Sequence, residues 1–352
     1  MHRCLSRHFL RTAPIALALL LVSNSAWAQY KLTRLDSNQP SPIAAVQPDP
    51  LLVNAWGLAF GPKTSFWISD NGSGMSTLYD GNGVKQGLEV KIPALNPSAP
   101  SVPTGIVFNP TQEFAVKGSG AESPAVFLFA GLDGSITGWS PTIDLHNAQP
   151  ATNNAREGAV YTGLAISSSQ TAAAFLFAAD AQNNRVDVYD GQFNLVRTMS
   201  DPNAPKGFSV YNVQDIKGKV FVTYASNTTA TGGLVDIFSE SGVLLRRLVH
   251  SGVLNQPWGL ALAPAHFGPF SGALLVGNNT PHGTIHAFDR TTGKLLGVLK
   301  DVNGKPIEID QLWGLAFGGG GTANGGVNQL FFTAGPSNYA NGLFGRIEFA
   351  GK

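Results

Sequence analysis

Residues 56–60 read Trp-Gly-Leu-Ala-Phe, and residues 66–70 read Phe-Trp-Ile-Ser-Asp. A glycine- and asparagine-containing turn follows, and an alternating segment then ends at Asp80-Gly81. This order predicts three short strands: one that opens beside a glycine, one that is apolar throughout, and one that alternates. Such a phrase is typical of one sheet in a repeat protein, so its recurrence along the chain matters more than any single motif.

The phrase occurs six times. The five later copies open at residues 104–108, 162–166, 211–215, 258–262 and 313–317. The fourth copy is degenerate, because Tyr211-Asn212 stands where the other copies have a residue followed by glycine. The links between units supply a fourth strand, for example residues 88–92 and 244–249. The repeat therefore predicts an all-β fold, a six-bladed β-propeller with four-stranded antiparallel blades that cover each other's faces.

The ring needs an additional strand. The sixth unit runs out of chain after Phe349, whereas residues 30–35 alternate and belong to no unit. We expect residues 30–35 to close the ring as the outer strand of the last blade, which removes an open edge. We also expect the second strand of each blade to be fully buried and the third to be half exposed. The alternative is a pair of β domains divided near residues 148–157.

Residues 1–28 have the features of a signal peptide. Arg3, Arg7 and Arg11 precede an apolar run of about ten residues, which is too short to cross a bilayer, and Ala26-Trp27-Ala28 offers a cleavage site. The sequence therefore predicts export to the periplasm or the extracellular space, with residues 29–352 forming a single propeller domain. The alternative is a buried N-terminal helix.

Composition excludes some classes of partner. The only cysteine, Cys4, precedes the predicted cleavage site, so the core alone must hold the exported domain. Without the three N-terminal arginines, the 23 basic residues become 20 against 22 acidic ones. This balance gives no basic excess for nucleic acid and no polybasic run for anionic lipid. We expect no nucleic-acid partner, no membrane anchor and a monomer.

The segment Ala179-Asp180-Ala181-Gln182-Asn183-Asn184-Arg185-Val186 resembles the core of an NHL repeat. Over nearly all of residues 29–352, the pattern resembles an uncharacterised family of exported bacterial propeller proteins of the NHL-like or YVTN-like kind. Shared phrases are residues 56–60, 69–72, 104–109 and 311–317. Some members carry a PEP-CTERM sorting tail, and residues 348–352 depart from that pattern. The resemblance implies export and the propeller but no known activity.

The residues just before the strand-opening glycines form one candidate site. Six-bladed lactonases place calcium ligands at several of these positions, but this chain has residues that are not calcium ligands of that type. We expect them to face the axis at one level. There they would plug the tunnel or pack between blades, as buried aromatic residues usually do, or form a collar that binds a sugar or another flat ligand. The collar residues are Trp56, Thr104, Thr162, Tyr211, Trp258 and Trp313.

Polar residues at the ends of the second strands form another candidate set. They would place oxygen atoms at one mouth of the ring, which suits a calcium site. The alternative is that they cap turns by bonding nearby backbone amides. These residues are Asp70, Asn71, Asp180, Asn227, Asn278 and Asn279.

The sequence thus favours an exported, non-catalytic binding or scaffolding propeller whose partner is an unidentified protein or a polysaccharide. The alternative is a metal-dependent hydrolase or lyase of a small extracellular substrate. No cofactor is predicted under the first hypothesis, and calcium belongs to the second.

Overall fold

A computed structural model describes residues 29–40, 48–168, 173–228 and 231–351. The predicted signal peptide, residues 1–28, lies outside the described residues. Six four-stranded antiparallel sheets form a six-bladed β-propeller, as the repeat predicts. Within each blade, strand A is innermost and strands B, C and D follow outwards. The upper face is the one where strands A begin and strands B end.

The first three blades follow each other in chain order. Blade one contains β2 (Ala55–Ala59), β3 (Phe66–Asp70), β4 (Met75–Tyr79) and β5 (Val90–Lys91). Blade two contains β6 (Pro103–Phe108), β9 (Phe127–Gly131), β10 (Ser135–Trp139) and β11 (Gln149–Asn153). Blade three contains β12 (Tyr161–Ile166), β13 (Leu176–Asp180), β14 (Arg185–Tyr189) and β15 (Leu195–Met199).

The other three blades complete the ring. Blade four contains β16 (Phe208–Asp215), β17 (Lys219–Ser226), β18 (Gly233–Ser239) and β19 (Leu244–Ser251). Blade five contains β20 (Pro257–Leu262), β21 (Leu274–Asn278), β22 (Ile285–Phe288) and β23 (Leu295–Val298). Blade six contains β24 (Leu312–Phe317), β25 (Gln329–Ala334), β26 (Leu343–Phe349) and, as strand D, β1 (Tyr30–Ser37).

The N-terminal strand closes the ring as expected. β1 pairs antiparallel with β26, with Tyr30 opposite Phe349 and Ser37 opposite Leu343. The Tyr30 hydroxyl also donates a hydrogen bond to the Phe267 carbonyl oxygen at 2.9 Å, which ties the strand to blade five. Because Tyr30 is fully buried, the closing strand is part of the core.

Apolar side chains of the described residues form a core layer between each pair of adjacent blades. A separate apolar cluster lies on the axis. The third strands are therefore more buried than expected: β10 is buried along its length, and β4, β14 and β18 nearly so. The expectation of half-exposed third strands is wrong, because both faces of each inner sheet meet a neighbouring blade.

Three local details differ from the expectations. A hairpin of β7 (Ala115–Gly118) and β8 (Ala121–Pro124) is inserted in blade two, where no strand was expected. The outer strand of blade one is limited to Val90–Lys91. The fourth blade, although degenerate in sequence, has strands of seven or eight residues throughout.

The remaining regular elements are two short 3₁₀ helices, Ala155–Glu157 and Gly268–Phe270. Among the residues that the structure describes, no helix has the length and apolar character needed to cross a membrane.

Candidate functional site

Every strand A carries a β-bulge at its upper end, where the register with strand B shifts. In blade one the shift lies between Ala55 and Leu58, so Trp56 and Gly57 form the irregular step. A bulge rotates side chains out of the regular alternation. The residue-glycine pair in the repeat therefore aims one side chain per blade at the upper part of the axis.

The glycine of this pair is required by the close approach of adjacent strands A. A Cβ atom on Gly57 would lie 2.4 Å from the Thr104 carbonyl oxygen, and one on Gly259 would lie 2.5 Å from that of Trp313. Blade four replaces the glycine with Asn212, whose amide nitrogen donates to the Trp258 carbonyl oxygen at 2.8 Å. The degenerate copy thus replaces close approach with a hydrogen bond across the same gap.

Three tryptophans meet on the axis and fill it. The rings of Trp56 and Trp313 are stacked with centroids 3.7 Å apart. Trp258 stands edge-on to both, at 6.4 Å from Trp56 and 5.8 Å from Trp313. All three side chains are buried. We call this group, together with Tyr211 and Tyr339, which pack against it, the axial layer.

The indole nitrogens differ in their hydrogen bonds. Trp258 Nε1 donates to the Thr162 carbonyl oxygen of blade three, two blades away, and Trp313 Nε1 donates to Asn54 Oδ1, both at 2.9 Å. Trp56 Nε1 is buried and has no hydrogen-bond partner within the described residues. Two of the three indoles are thus fixed in orientation, as expected for buried tryptophans with polar partners.

The two tyrosines of the axial layer share one acceptor. The hydroxyls of Tyr211 and Tyr339 donate to Asn279 Oδ1 at 3.4 and 2.9 Å. Desolvation raises the pKa of both hydroxyls, so they remain neutral donors. Tyr211 as a whole is partly buried, and it lines a cavity on the upper face.

The two collar threonines have their hydroxyls bonded inside the fold. Thr104 Oγ1 donates to the Tyr161 carbonyl oxygen at 2.7 Å, and Thr162 Oγ1 donates to that of Ala179 at 3.4 Å. The structure therefore brings Trp56, Trp258 and Trp313 together with Tyr211, while the Thr104 hydroxyl joins blade two to blade three and the Thr162 hydroxyl is bonded within blade three. Ligand binding by this collar stays a prediction.

The asparagines that follow strands B connect neighbouring blades. Asn71 Nδ2 donates to the Pro103 carbonyl oxygen in blade two, and Asn279 Nδ2 donates to that of Leu312 in blade six, both at 3.1 Å. Asn278 bonds the backbone of the preceding loop, accepting from the Asn255 amide at 3.0 Å. These amides lie near the upper mouth, and their hydrogen bonds hold adjacent blades and loops together.

The two aspartates of the same set are also bonded locally. Asp70 Oδ2 accepts from the Thr77 amide and hydroxyl, and burial raises the pKa of Asp70 well above its usual value. Asp180 accepts from Asn183, and Arg185 lies 3.8 Å away. In the described part of the chain, no group of three or more His, Cys, Asp or Glu residues has the geometry to hold a metal ion. The calcium role stays a prediction.

Asn227, the remaining member of the set, lies in a different environment. It lines a cavity of about 230 Å³ on the upper face, beside Tyr211 and between blades three, four and five. We call this cavity the Tyr211 pocket. Its other polar side chains are Gln182, Ser209, Ser226 and Gln256, and its apolar ones are Val160, Ala181, Val210 and Ala225.

The polar groups of the Tyr211 pocket are uncharged and partly satisfied. Asn227 Nδ2 donates to Ser209 Oγ at 3.1 Å, and Gln256 Nε2 donates to the Ser226 carbonyl oxygen at 2.7 Å. Each amide oxygen is left with acceptor capacity, and the exposed Gln182 amide makes no hydrogen bond to the described residues. The pocket therefore offers neutral donors and acceptors beside one tyrosine.

Sequence reasoning missed most of these residues. Gln182, Ser209 and Gln256 come from a turn, a strand and a loop of three different blades, so no local pattern joins them. One pattern was available: Asn54, Gln256 and Gln311 each lie two residues before a collar tryptophan and adopt positive φ values of 48°, 51° and 52°. A recurring amide at that position indicated a special backbone conformation.

These features define a six-bladed β-propeller whose axis is closed by aromatic side chains. Its fold is similar to that of Kuenenia stuttgartiensis hydrazine synthase, with 14% identity over 84% of this chain and 77% of that chain and a TM-score of 0.54. A glucose dehydrogenase matches with 12% identity over 90% and 98% of the two chains, also at a TM-score of 0.54. Such low identities concern the fold alone. No protein-family model matches.

The chain belongs to the same family as the uncharacterized protein R648 of Acanthamoeba polyphaga mimivirus. The two are 31% identical over 339 residues, which cover 90% of this chain and 80% of the relative. A second mimivirus protein, uncharacterized protein L690, is 28% identical over 92% of this chain and 86% of its own. The resemblance to an uncharacterised propeller family is confirmed to this extent, and the bacterial character of the family stays a prediction.

Proposed function

We propose that this protein is an exported, non-catalytic binding propeller that takes a neutral polyhydroxylated ligand, such as a saccharide unit of a polysaccharide, at the Tyr211 pocket. The supporting observation is the composition of that pocket: uncharged amide and hydroxyl groups line it together with the partly buried Tyr211. Sugars present hydroxyls at their edges and C–H groups on their faces, which match such groups. Export rests on the sequence features of residues 1–28.

The size of the pocket supports a small unit of a larger ligand. Drug-sized ligands occupy clefts of roughly 300 to 1,000 Å³, whereas this pocket has about 230 Å³. A single sugar ring at the end or side of a polymer suits this volume. Tyr211 belongs to the axial layer and lines this pocket, so the ligand would rest against the axial layer and would not pass through the ring.

The test is a screen of the purified protein against a glycan array, followed by calorimetric titration of the best ligand. We expect neutral saccharides to bind, and the Gln182→Ala/Asn227→Ala double variant to bind at least tenfold more weakly. Gln192→Ala is the matched control, because Gln192 is an exposed glutamine at the opposite end of blade three. Equal affinity of the double variant, or binding confined to charged glycans, would contradict the proposal.

The non-catalytic part of the proposal has its own measurement. The bound saccharide is recovered after prolonged incubation and analysed by mass spectrometry. We expect it to be unchanged, whereas a shortened or eliminated product formed by the wild-type protein and not by the double variant would favour an enzyme.

A further inference from the structure

A second cleft on the upper face lies between blade six and the segment that enters it from blade five. It has a volume of about 340 Å³. Its lining residues come from β1, from residues 308–310 before β24, from residues 336–337 after β25 and from the first residue of β26. We call this cavity the blade-six cleft. It shares no lining residue with the Tyr211 pocket, so the two are separate sites.

Apolar side chains form most of the wall of the blade-six cleft. They are Leu32, Ile309, Pro336 and Leu343. Ile309 and Leu343 are buried, and Leu32 packs against the core layer between blades five and six. Because these residues belong to the core, this wall is held in one position. The volume of the cleft lies at the small end of the usual range for ligand sites, roughly 300 to 1,000 Å³.

β1 contributes a cation to the cleft. Arg34 follows Leu32 by two residues in a regular part of the strand, so both side chains lie on the same face of the sheet. Arg34 is exposed, and its guanidinium makes no hydrogen bond or ion pair with the described residues. A guanidinium presents paired N–H donors that match a carboxylate. The β1 side of the cleft can therefore take an anionic group.

The segment 308–310 contributes two carboxylates. Asp310 Oδ2 accepts from the Ser337 amide at 2.9 Å, and its Oδ1 atom receives no hydrogen bond from the described residues. Glu308 is exposed and already contacts His282 at 2.9 Å, so Asp310 is the carboxylate with acceptor capacity inside the cleft. Within the described part of the chain, neither carboxylate forms an ion pair with Arg34. The cleft thus holds opposite charges that do not neutralise each other directly.

The loop that completes the cleft has a strained backbone. Ser337, Asn338 and Tyr339 have consecutive positive φ values of 60°, 55° and 67°. Residues other than glycine persist in this region only where their surroundings fix them, and such strain concentrates at ligand sites. Here Asp310 holds the Ser337 amide, and the Gly335 carbonyl oxygen accepts from the Tyr339 amide at 2.8 Å. The same carboxylate therefore fixes the loop and faces the cleft.

We propose that the blade-six cleft binds a small zwitterion with apolar side groups, such as an apolar dipeptide. The carboxylate of the ligand pairs with Arg34, its ammonium group pairs with Asp310, and its side groups cover the apolar wall. Charge-assisted hydrogen bonds at both ends supply selectivity, because a ligand with one charge leaves the other end unpaired. Burial of the apolar side groups supplies affinity.

The experiment titrates the full-length folded protein with leucyl-leucine by calorimetry at pH 6.5. At this pH an α-amino group is protonated, since its ordinary pKa is about 7.7–8.0. N-acetyl-leucyl-leucine, which lacks the ammonium group, and leucyl-leucinamide, which lacks the carboxylate, are titrated in parallel with glycyl-glycine. We expect leucyl-leucine to bind, and each of the other three compounds to bind at least tenfold more weakly.

Two variants assign the charges. Arg34→Gln should weaken leucyl-leucine at least tenfold and leave leucyl-leucinamide unchanged, whereas Asp310→Asn should weaken leucyl-leucine and leave the N-acetyl compound unchanged. Circular dichroism checks that both variants are folded, and Arg34 is exposed, so its replacement leaves the core intact. The matched controls are Lys31→Gln, at an exposed cation of β1 outside the cleft, and Glu122→Gln, at an exposed carboxylate of the blade-two hairpin. Both controls should bind leucyl-leucine as the wild type does.

Three results would overturn the proposal. The first is the absence of leucyl-leucine binding at millimolar concentration. The second is equal binding of the acetylated and amidated dipeptides, because the two charges of the cleft would then play no part. The third is an unchanged affinity for leucyl-leucine in Arg34→Gln.

Discussion

Replacing Trp313 with alanine tests whether the axial layer is core or binding surface. Trp313 is 2% exposed, stacks on Trp56 at 3.7 Å and contacts Trp258, Tyr211 and Tyr339. Truncation of a fully buried tryptophan costs about 3–5 kcal/mol, since lost burial and the resulting cavity add together. A loss of that size should lower the melting temperature by roughly 4 to 8 °C in a domain of this size.

Trp313→Phe separates packing from hydrogen bonding. It retains an aromatic ring but removes the N–H group that donates to Asn54 Oδ1. Leaving that acceptor unsatisfied costs about 1–3 kcal/mol. The free energy of unfolding of Trp313→Phe should therefore lie between those of the wild type and of Trp313→Ala. Leu145→Ala is the control, because Leu145 is 50% exposed and its truncation should change stability by less than about 0.5 kcal/mol.

The measurement is thermal and urea unfolding followed by circular dichroism, with saccharide binding measured on the same samples. The reasoning fails if Trp313→Ala lowers the free energy of unfolding by less than about 1 kcal/mol, well below the cost of a core truncation. If Trp313→Ala keeps its stability but loses its affinity for saccharide, the axial layer contacts the ligand directly, as the hypothesis of a ligand-binding collar predicts.

Three further changes probe the ring. Burial raises the pKa of Asp36 on β1 to about 7, so the stability contributed by its protonated form is present below pH 4 and lost as the pH rises through 7. Asp36→Asn should therefore raise the melting temperature at pH 8 and not at pH 4; equal shifts would contradict this. Gly259→Ala places a Cβ atom 2.5 Å from a backbone oxygen and should destabilise the fold. Gly252→Ala places its Cβ atom where no other heavy atom lies within 4 Å, so it should leave the stability unchanged. Tyr30→Phe removes the hydrogen bond from the closing strand and should cost about 1 kcal/mol in urea unfolding, and no change would mean that the bond is not formed.

The architecture could be predicted from the sequence because its causes are local and repeated. The glycine that opens each strand A is needed wherever two inner strands approach, so it marks five of the six units. The alternation of residues 30–35 identified the closing strand, because a strand with one buried face has no other place in the ring. The exposure of the third strands was predicted wrongly, since it depends on how closely neighbouring blades stack.

The candidate site was less predictable, for physical reasons. A tryptophan before glycine points to the axis, but whether three indoles leave an opening depends on their mutual angles, such as the 16° between Trp56 and Trp313. The Tyr211 pocket draws residues from β16 and from parts of blades three and five that are far apart in sequence. Degeneracy of the fourth copy was the available indication, because this pocket includes residues of β16.

Closure by β1 also determines how the molecule is oriented when either end is attached to something. Gln29 and Ala350 are joined by a backbone hydrogen bond of 2.9 Å at the lower end of blade six. A linker that continues from either residue therefore leaves from the same point and on the same side. A propeller attached there exposes its upper face, with the Tyr211 pocket, and turns its lower face towards the support. Coupling through a loop on the upper face would reverse that orientation.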